Sequence, residues 1–182
     1  MNLAVTAIGR DRPGIVAAIT GALLESGGNV DDSQMSILHG HFAVMLIVSV
    51  PGIDAGDEAA LDSLRDRLSA VGREFGLGGI TISPVSGLDR GAGPTHVLTV
   101  YGADRPGIVH DTARILAARA INITDLRTRR TGDPDSPLYT LMVEIAVPDD
   151  PGVIPGLERD LAGLGEADRV ETRLSELDSE VL

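Results

Sequence analysis

Two short segments carry the groups best suited to hold a small charged molecule. They are Asp11-Arg12-Pro13-Gly14-Ile15 and, 93 positions later, Asp104-Arg105-Pro106-Gly107-Ile108. Each follows an apolar run and leads into a helical pattern, so each sits at a helix N-terminus. The first-turn N–H groups of a helix have no internal partner, and the helix dipole is positive there. Such a tip suits an anion, for instance the carboxylate of an amino acid held by the N–H groups at Gly14-Ile15 and Gly107-Ile108. Gly14 and Gly107 have no Cβ, so a ligand can approach the backbone closely. The carboxylates of Asp11 and Asp104 can accept hydrogen bonds from an ammonium. Asn29 lies 18 residues beyond Asp11 and opens the next strand; Asn122 repeats it at the same spacing from Asp104. An asparagine amide offers both donors and an acceptor, so it can hold either end of a zwitterion. If strand two begins near the far end of helix one, Asn29 meets the loop of a neighbouring domain rather than its own. The same residues also suit a plain helix start, with Asp near the cap, Pro in the first turn and Asn in a following turn. Motif chemistry alone leaves both readings open.

Other chemistry is poorly supplied. There is no cysteine, and all fifteen basic residues are arginine. Disulfides, thiolate nucleophiles and Schiff-base or P-loop lysines are therefore excluded. His39 and His41 flank Gly40 but bring no third metal ligand, so no metal site is expected. His110 follows the second loop and could reach a ligand, or simply decorate a helix; His96 opens a strand. Asp31, Asp32 and Asp125 form a carboxylate group on which no nucleophile converges. Glu25, Glu58, Asp62 and Asp66 read as solvated helix faces. No catalytic motif or dinucleotide fingerprint is found, so neither enzyme activity nor a cofactor is expected. The net charge of −12 repels phosphate backbones. Arg127, Arg129 and Arg130 then read as decoration on a solvated hairpin rather than a nucleic-acid grip. The apolar run Phe42 to Val50 is too short to span a bilayer. With no signal-peptide pattern, the chain is expected in the cytoplasm.

The elements that position the two loops follow from a duplication. Gly9 to Val16 recurs as Gly102 to Val109, Asn29-Val30 meets Asn122-Ile123, and Asp32 meets Asp125. After an insertion around Gly132 to Pro137, Phe42 aligns with Tyr139 and Val50-Pro51 with Val147-Pro148. A period this long means two domains rather than a solenoid. Domain 1 is placed at residues 1–86 and domain 2 at 95–182, joined by a Gly- and Pro-rich linker at 87–94. The acidic stretch from Glu171 onward is expected to fray. Each repeat reads β-α-β-β-α-β. In the first, Leu3 to Ile8 is a strand, and a helix starting at Pro13 carries Ile15, Ile19 and Leu23 on one stripe until Gly27-Gly28. Val30–Leu38 and Phe42–Val50 are strands, Leu61, Leu64, Leu68 and Val71 mark the second helix, and Ile80–Val85 is the last strand. The second repeat gives His96–Tyr101, Ile108–Arg119, Asn122–Arg130, Leu138–Val147, Gly152–Leu164 and Arg169–Leu174. The fold class is therefore α+β, two ferredoxin-like units with antiparallel sheets and helices on one face. Aromatics are only 2% of the chain, so the cores must be aliphatic. The run Phe42-Ala43-Val44-Met45-Leu46-Ile47-Val48 does not alternate, which predicts that the face without helices is covered by the other repeat or by another subunit.

This arrangement, with Asp-Arg-Pro-Gly-Ile between strand one and helix one and Asn opening strand two, resembles the ACT domain family, twice over. The first repeat, from Val5 to Val16 and again from Asn29 to Ser33, is similar to a group of tandem-ACT bacterial transcriptional repressors of the glycine cleavage system. The resemblance implies a homo-oligomeric regulatory protein that binds a small amino acid between paired domains and acts on a transcription factor or an enzyme. It implies Asp11, Gly14, Ile15 and Asn29, with Asp104, Gly107, Ile108 and Asn122, as the ligand-contacting positions. Two departures stand out. Gly9 and Gly102 occupy a position where serine-sensing ACT domains carry a His, and the second repeat keeps a loop motif that the repressor group usually loses there. A ligand-free interaction module is the alternative reading.

Overall fold

The computed structural model describes residues 1–52, 57–87, 91–133, 135–168 and 170–177. The chain forms two compact units, residues 1–89 and 90–182. Residues 88–90 of the expected linker, Arg169 at the start of the last expected strand and residues 178–182 lie outside the described residues; Glu171 to Glu176, expected to fray, form part of a paired strand instead.

The first unit runs β1 (Asn2–Arg10), α1 (Ile15–Glu25), β2 (Asn29–Leu38), β3 (His41–Ser49), α2 (Glu58–Phe75) and β4 (Leu77–Val85). The second repeats it as β5 (His96–Ala103), α3 (Ile108–Ala117), β6 (Asn122–Asp133), β7 (Ser136–Ala146), α4 (Val153–Asp168) and β8 (Val170–Glu176). Each sheet is antiparallel and four-stranded, in the orders β2-β3-β1-β4 and β6-β7-β5-β8. The α+β ferredoxin-like class is the one expected.

Core packing follows from period. Leu3, Val5 and Ala7 of β1 and Phe42, Val44, Leu46 and Val48 of β3 turn one face inward. Against them α1 lays Ile15, Ile19 and Leu23, and α2 lays Leu61, Leu64 and Leu68. The second unit packs Leu98, Val100, Leu141, Val143 and Ile145 against Ile108, Leu116, Leu157 and Leu161 in the same way. Helix α2 is capped by the Asp57 side chain, which accepts from the N–H of Ala60 at 3.1 Å, and it stops at Gly76 with φ 65°.

Helix α1 ends in a reversal that the two repeats build differently. Gly27 has φ 73°, and Gly28 donates to the Leu23 carbonyl at 2.8 Å. In the second unit Ala120 takes φ 54° and Ile121 donates to the Leu116 carbonyl at 3.1 Å. The β2–β3 hairpin turns through His39 and Gly40, both at positive φ (49° and 76°), as a right-twisted two-residue turn demands. The insertion in the second repeat lengthens its hairpin, so that β6 and β7 pair out to Asp133 and Ser136.

Two expectations are corrected. Helix α1 starts at Ile15, not at Pro13; Pro13 and Gly14 form the turn before it, because Gly14 at φ 97° cannot belong to a right-handed helix. The burial of β3 does alternate: Phe42, Val44, Leu46 and Val48 are inward, while Ala43 and Met45 are exposed. The run looked continuous only because its outward positions are apolar as well.

Candidate ligand site at the strand-to-helix loops

The loop after β1 is pinned to the neighbouring hairpin. The N–H of Asp11 donates to the Gly40 carbonyl at 2.9 Å, and the N–H of Asp104 donates to the Pro137 carbonyl at 3.1 Å. Each loop then reverses through a glycine N-cap in the left-handed region, Gly14 at φ 97° and Gly107 at φ 103°. Neither helix has a side-chain cap. Asp11 and Asp104 therefore do not serve the helix as capping residues, which removes the structural role that the plain helix-start reading gave them. The tips carry the positive end of the dipole. Ile15 and Ile108 themselves are buried in the two cores, and the space beside the glycine is bounded by the Phe75 ring at Gly14 and by the Asp111 and Arg105 side chains at Gly107.

In the second unit a cleft of about 680 Å³ opens at this tip. Asp104, Gly107, Ile108, His110 and Tyr139 are among its lining residues. His110 thus faces the site, as one of its two sequence readings had it. Arg130 is the residue that sequence reasoning misplaced. Its Nε lies 3.0 Å from a carboxylate oxygen of Asp104, so it braces the loop rather than merely decorating a hairpin. Arg105 lies along the same loop, 3.5 Å from Asp111 in the first turn of α3, and donates to the Pro106 carbonyl at 3.0 Å. Arg127 pairs with Asp125 at 2.9 Å. The signal that could have found Arg130 is the repeat itself, since the matching position in the first copy is the apolar Ile37.

The asparagines stand elsewhere. Asn29 pairs in register with Ser49, and Ser49 with Asn2, at the start of β1, whereas Asp11 follows its end. About nine residues of strand at roughly 3.3 Å each separate the two positions, on the order of 30 Å. Asn122, opposite Ala146, is equally distant from Asp104. The structure thus brings Asp11, Gly14 and Ile15 together, and Asp104, Gly107 and Ile108, but in neither repeat adds the asparagine. Asn29 instead donates to Asp31 at 2.8 Å, and Asp31 also accepts from the Ser49 hydroxyl at 3.1 Å. Asp32 accepts from the N–H of Ser33 at 2.8 Å. Among the described residues no three His, Asp or Glu side chains gather as a metal site would need, and no helix is long and apolar enough to cross a membrane.

Comparison with known proteins agrees with this architecture. Residues 2–81 and residues 96–162 each match a family model described as an ACT domain. The glycine cleavage system transcriptional repressor of Escherichia coli K12 is 30% identical over 128 residues, which cover 70% of this chain and 64% of that protein. The chain thus spans less than two thirds of that relative's length. Phosphoserine phosphatase SerB2 of Mycobacterium tuberculosis is 27% identical over 180 residues, covering 97% of this chain but 41% of the relative. A crystal structure of an unknown protein from Galdieria sulphuraria superposes with a TM-score of 0.78 at 26% identity, over 97% of this chain and 98% of that one. With one model on each repeat and the same strand order in both sheets, the chain belongs to the ACT domain family and contains two such domains.

Proposed function

We propose that the protein senses a small amino acid at its two strand-to-helix loops and passes the result to a transcription factor or a metabolic enzyme. Family membership supports the regulatory, amino-acid-sensing role; the loops supply the chemistry for it. In this reading Asp11 and Asp104 take the ammonium, and the amides at Gly14-Ile15 and Gly107-Ile108 take the carboxylate. Asn29 and Asn122 lie too far from their own loops, so they complete the site of an adjoining ACT module across an interface. The domains are assigned to residues 1–86 and 95–182 with the linker at 87–94, and the working form is a homo-oligomer without catalytic, metal or cofactor chemistry of its own. Ligand binding then favours one packing of modules over another, by no more than its differential affinity for the two.

The observation that carries this reading is the pair of uncapped, glycine-opened helix tips, each beside an aspartate that the helix does not use. Calorimetric titration of the full chain against the common amino acids tests it. At least one should bind, and Asp11→Ala with Asp104→Ala together should weaken it by tenfold or more, since each lost hydrogen bond to a charged group is worth about 1.5–3 kcal/mol. Binding undiminished in the double variant removes the site assignment. A second reading, a ligand-free interaction module, is favoured by the apolar residues exposed on the first sheet. It takes over if no amino acid binds while a protein partner does.

A further inference from the structure

The second loop meets two charged side chains that the first does not. Arg130 of β6 and Asp111 in the first turn of α3 stand where the first repeat carries Ile37 and Ala18. Both bear on the loop. The Arg130 Nε lies 3.0 Å from a carboxylate oxygen of Asp104. The Asp111 carboxylate lies 3.5 Å from the guanidinium of Arg105, which also donates to the Pro106 carbonyl at 3.0 Å. The motif charges themselves are the same in both repeats, Asp11-Arg12 and Asp104-Arg105.

The place of Asp111 follows from helix geometry. Helical side chains lean toward the N-terminus, so residue 111 covers the turn that begins four positions earlier, at Gly107. There it fills the space that the missing Cβ leaves. A Cβ built on Gly107 would come within 3.3 Å of the Asp111 carboxylate and 3.4 Å of the Arg105 guanidinium. The same space at Gly14 meets only the Phe75 ring, at 3.5 Å. Among the described residues no ion pair holds Asp11 or Arg12. Exposure agrees, since Arg12 is exposed and Arg105 half-buried.

We infer that the second loop is occupied by the chain itself, with Arg130 and Asp111 standing in for the two ends of an amino acid. The inference rests on the sensing reading and settles which loop does the sensing. The Arg130 guanidinium sits on Asp104, where a ligand's ammonium would sit. The Asp111 carboxylate sits beside the helix tip, where a ligand's carboxylate would sit. Each has the sign that its position calls for: a cation on a carboxylate, an anion at the positive end of a helix. Exposed ion pairs add little to stability, so two of them on one loop, and in one repeat, are accounted for by what they cover. Tethered groups have no translational freedom to lose, so they compete at an advantage with a free amino acid. His110 and Tyr139 line the cleft beside this loop, but a ligand entering it finds both charged anchors in use. One amino acid per chain therefore binds tightly, at the first loop, and the second loop responds only at higher concentration.

Titration calorimetry of the full chain against the common amino acids tests this when the two positions are exchanged between the repeats. Each substitution installs a residue that the other repeat already carries there, so the fold should be kept; far-UV circular dichroism and thermal melting verify that. Asp111→Ala with Arg130→Ile should clear the second loop. Its affinity should rise by up to about fivefold for each ion pair removed, and the tight sites per chain should go from one toward two. Ala18→Asp with Ile37→Arg should give the first loop the same occupants, because Asp11 and Arg12 are already in place. The tight affinity should then fall by a similar factor. A second-loop affinity that stays the same or drops in the Asp111→Ala, Arg130→Ile variant overturns the inference. So does tight binding that survives Ala18→Asp with Ile37→Arg. Neither result touches the sensing reading, which stands on wild-type binding that Asp11→Ala removes. A chain that binds no amino acid in any of these forms overturns both.

Discussion

At the scale of single residues the duplication supplies its own controls. The same chain reversal after the first helix is made by Gly27 in one repeat and by Ala120 in the other, both in the left-handed region. An L-residue there costs about 1–2 kcal/mol, partly offset by the smaller entropy that alanine loses on folding. Ala120→Gly should therefore stabilise the protein by about 0.5–1 kcal/mol. Gly27→Ala should destabilise it by a similar amount, purely through conformation, since a Cβ at Gly27 meets nothing within 4 Å. Urea unfolding of the two variants checks the pair, and shifts of the same sign would refute the argument. Legibility at this scale was mixed. The glycines at 14 and 107 stood out because Asp-Arg-Pro-Gly repeats as a unit, but their left-handed backbone did not. The strain at Ala120 was hidden, since nothing in the local sequence Ala-Arg-Ala-Ile announces a positive φ. Arg130 was hidden for a different reason: its partner Asp104 is a neighbour only through the long β6–β7 hairpin.

At the scale of elements, hydrophobic period located the helices and strands well, while chain reversals set their ends. The stripe Ile15, Ile19, Leu23 is buried as its spacing requires, yet the helix begins two residues later than proline's usual place would put it. The reason is Gly14, whose left-handed backbone ends one structure and starts the next. That geometry predicts a separable effect. Gly14→Ala should cost about 1–2 kcal/mol of stability from backbone strain alone, because the added Cβ would sit at ordinary contact distance, 3.5 Å, from the Phe75 ring. Helix content at saturating stability should be retained, and calorimetry should show amino-acid binding lost from that loop. Retained binding would mean that the glycine opens nothing. Strand β3 marks where the reading ran out. A run such as Phe42 to Val48 reads identically whether its outward side chains are buried or exposed, so composition could not tell a covered face from the open one found here.

For the molecule as a whole, two nearly identical loops stand in unlike surroundings. Ile37, Ala17 and Phe42 of the first repeat are replaced by Arg130, His110 and Tyr139 in the second, around the same Asp-Arg-Pro-Gly-Ile. Asp104 is already paired, 3.0 Å from the Arg130 guanidinium, whereas no arginine stands at the matching position near Asp11. At the second loop Arg130 already neutralises Asp104, so an incoming ammonium gains less there than at Asp11. One chain should therefore show two unequal affinities for an amino acid, with Asp11→Ala abolishing the tighter. Arg130→Ile converts the second environment toward the first and removes an exposed ion pair worth about 0–1 kcal/mol, so the weaker affinity should rise by up to about fivefold. The exposed ion pair itself contributes about 0–1 kcal/mol, so the variant should fold normally. Titration calorimetry of the wild type, Asp11→Ala and Arg130→Ile reads all three outcomes. Equal affinities in the wild type, or an Arg130→Ile variant that binds more weakly, would show that Arg130 serves the ligand rather than competing with it.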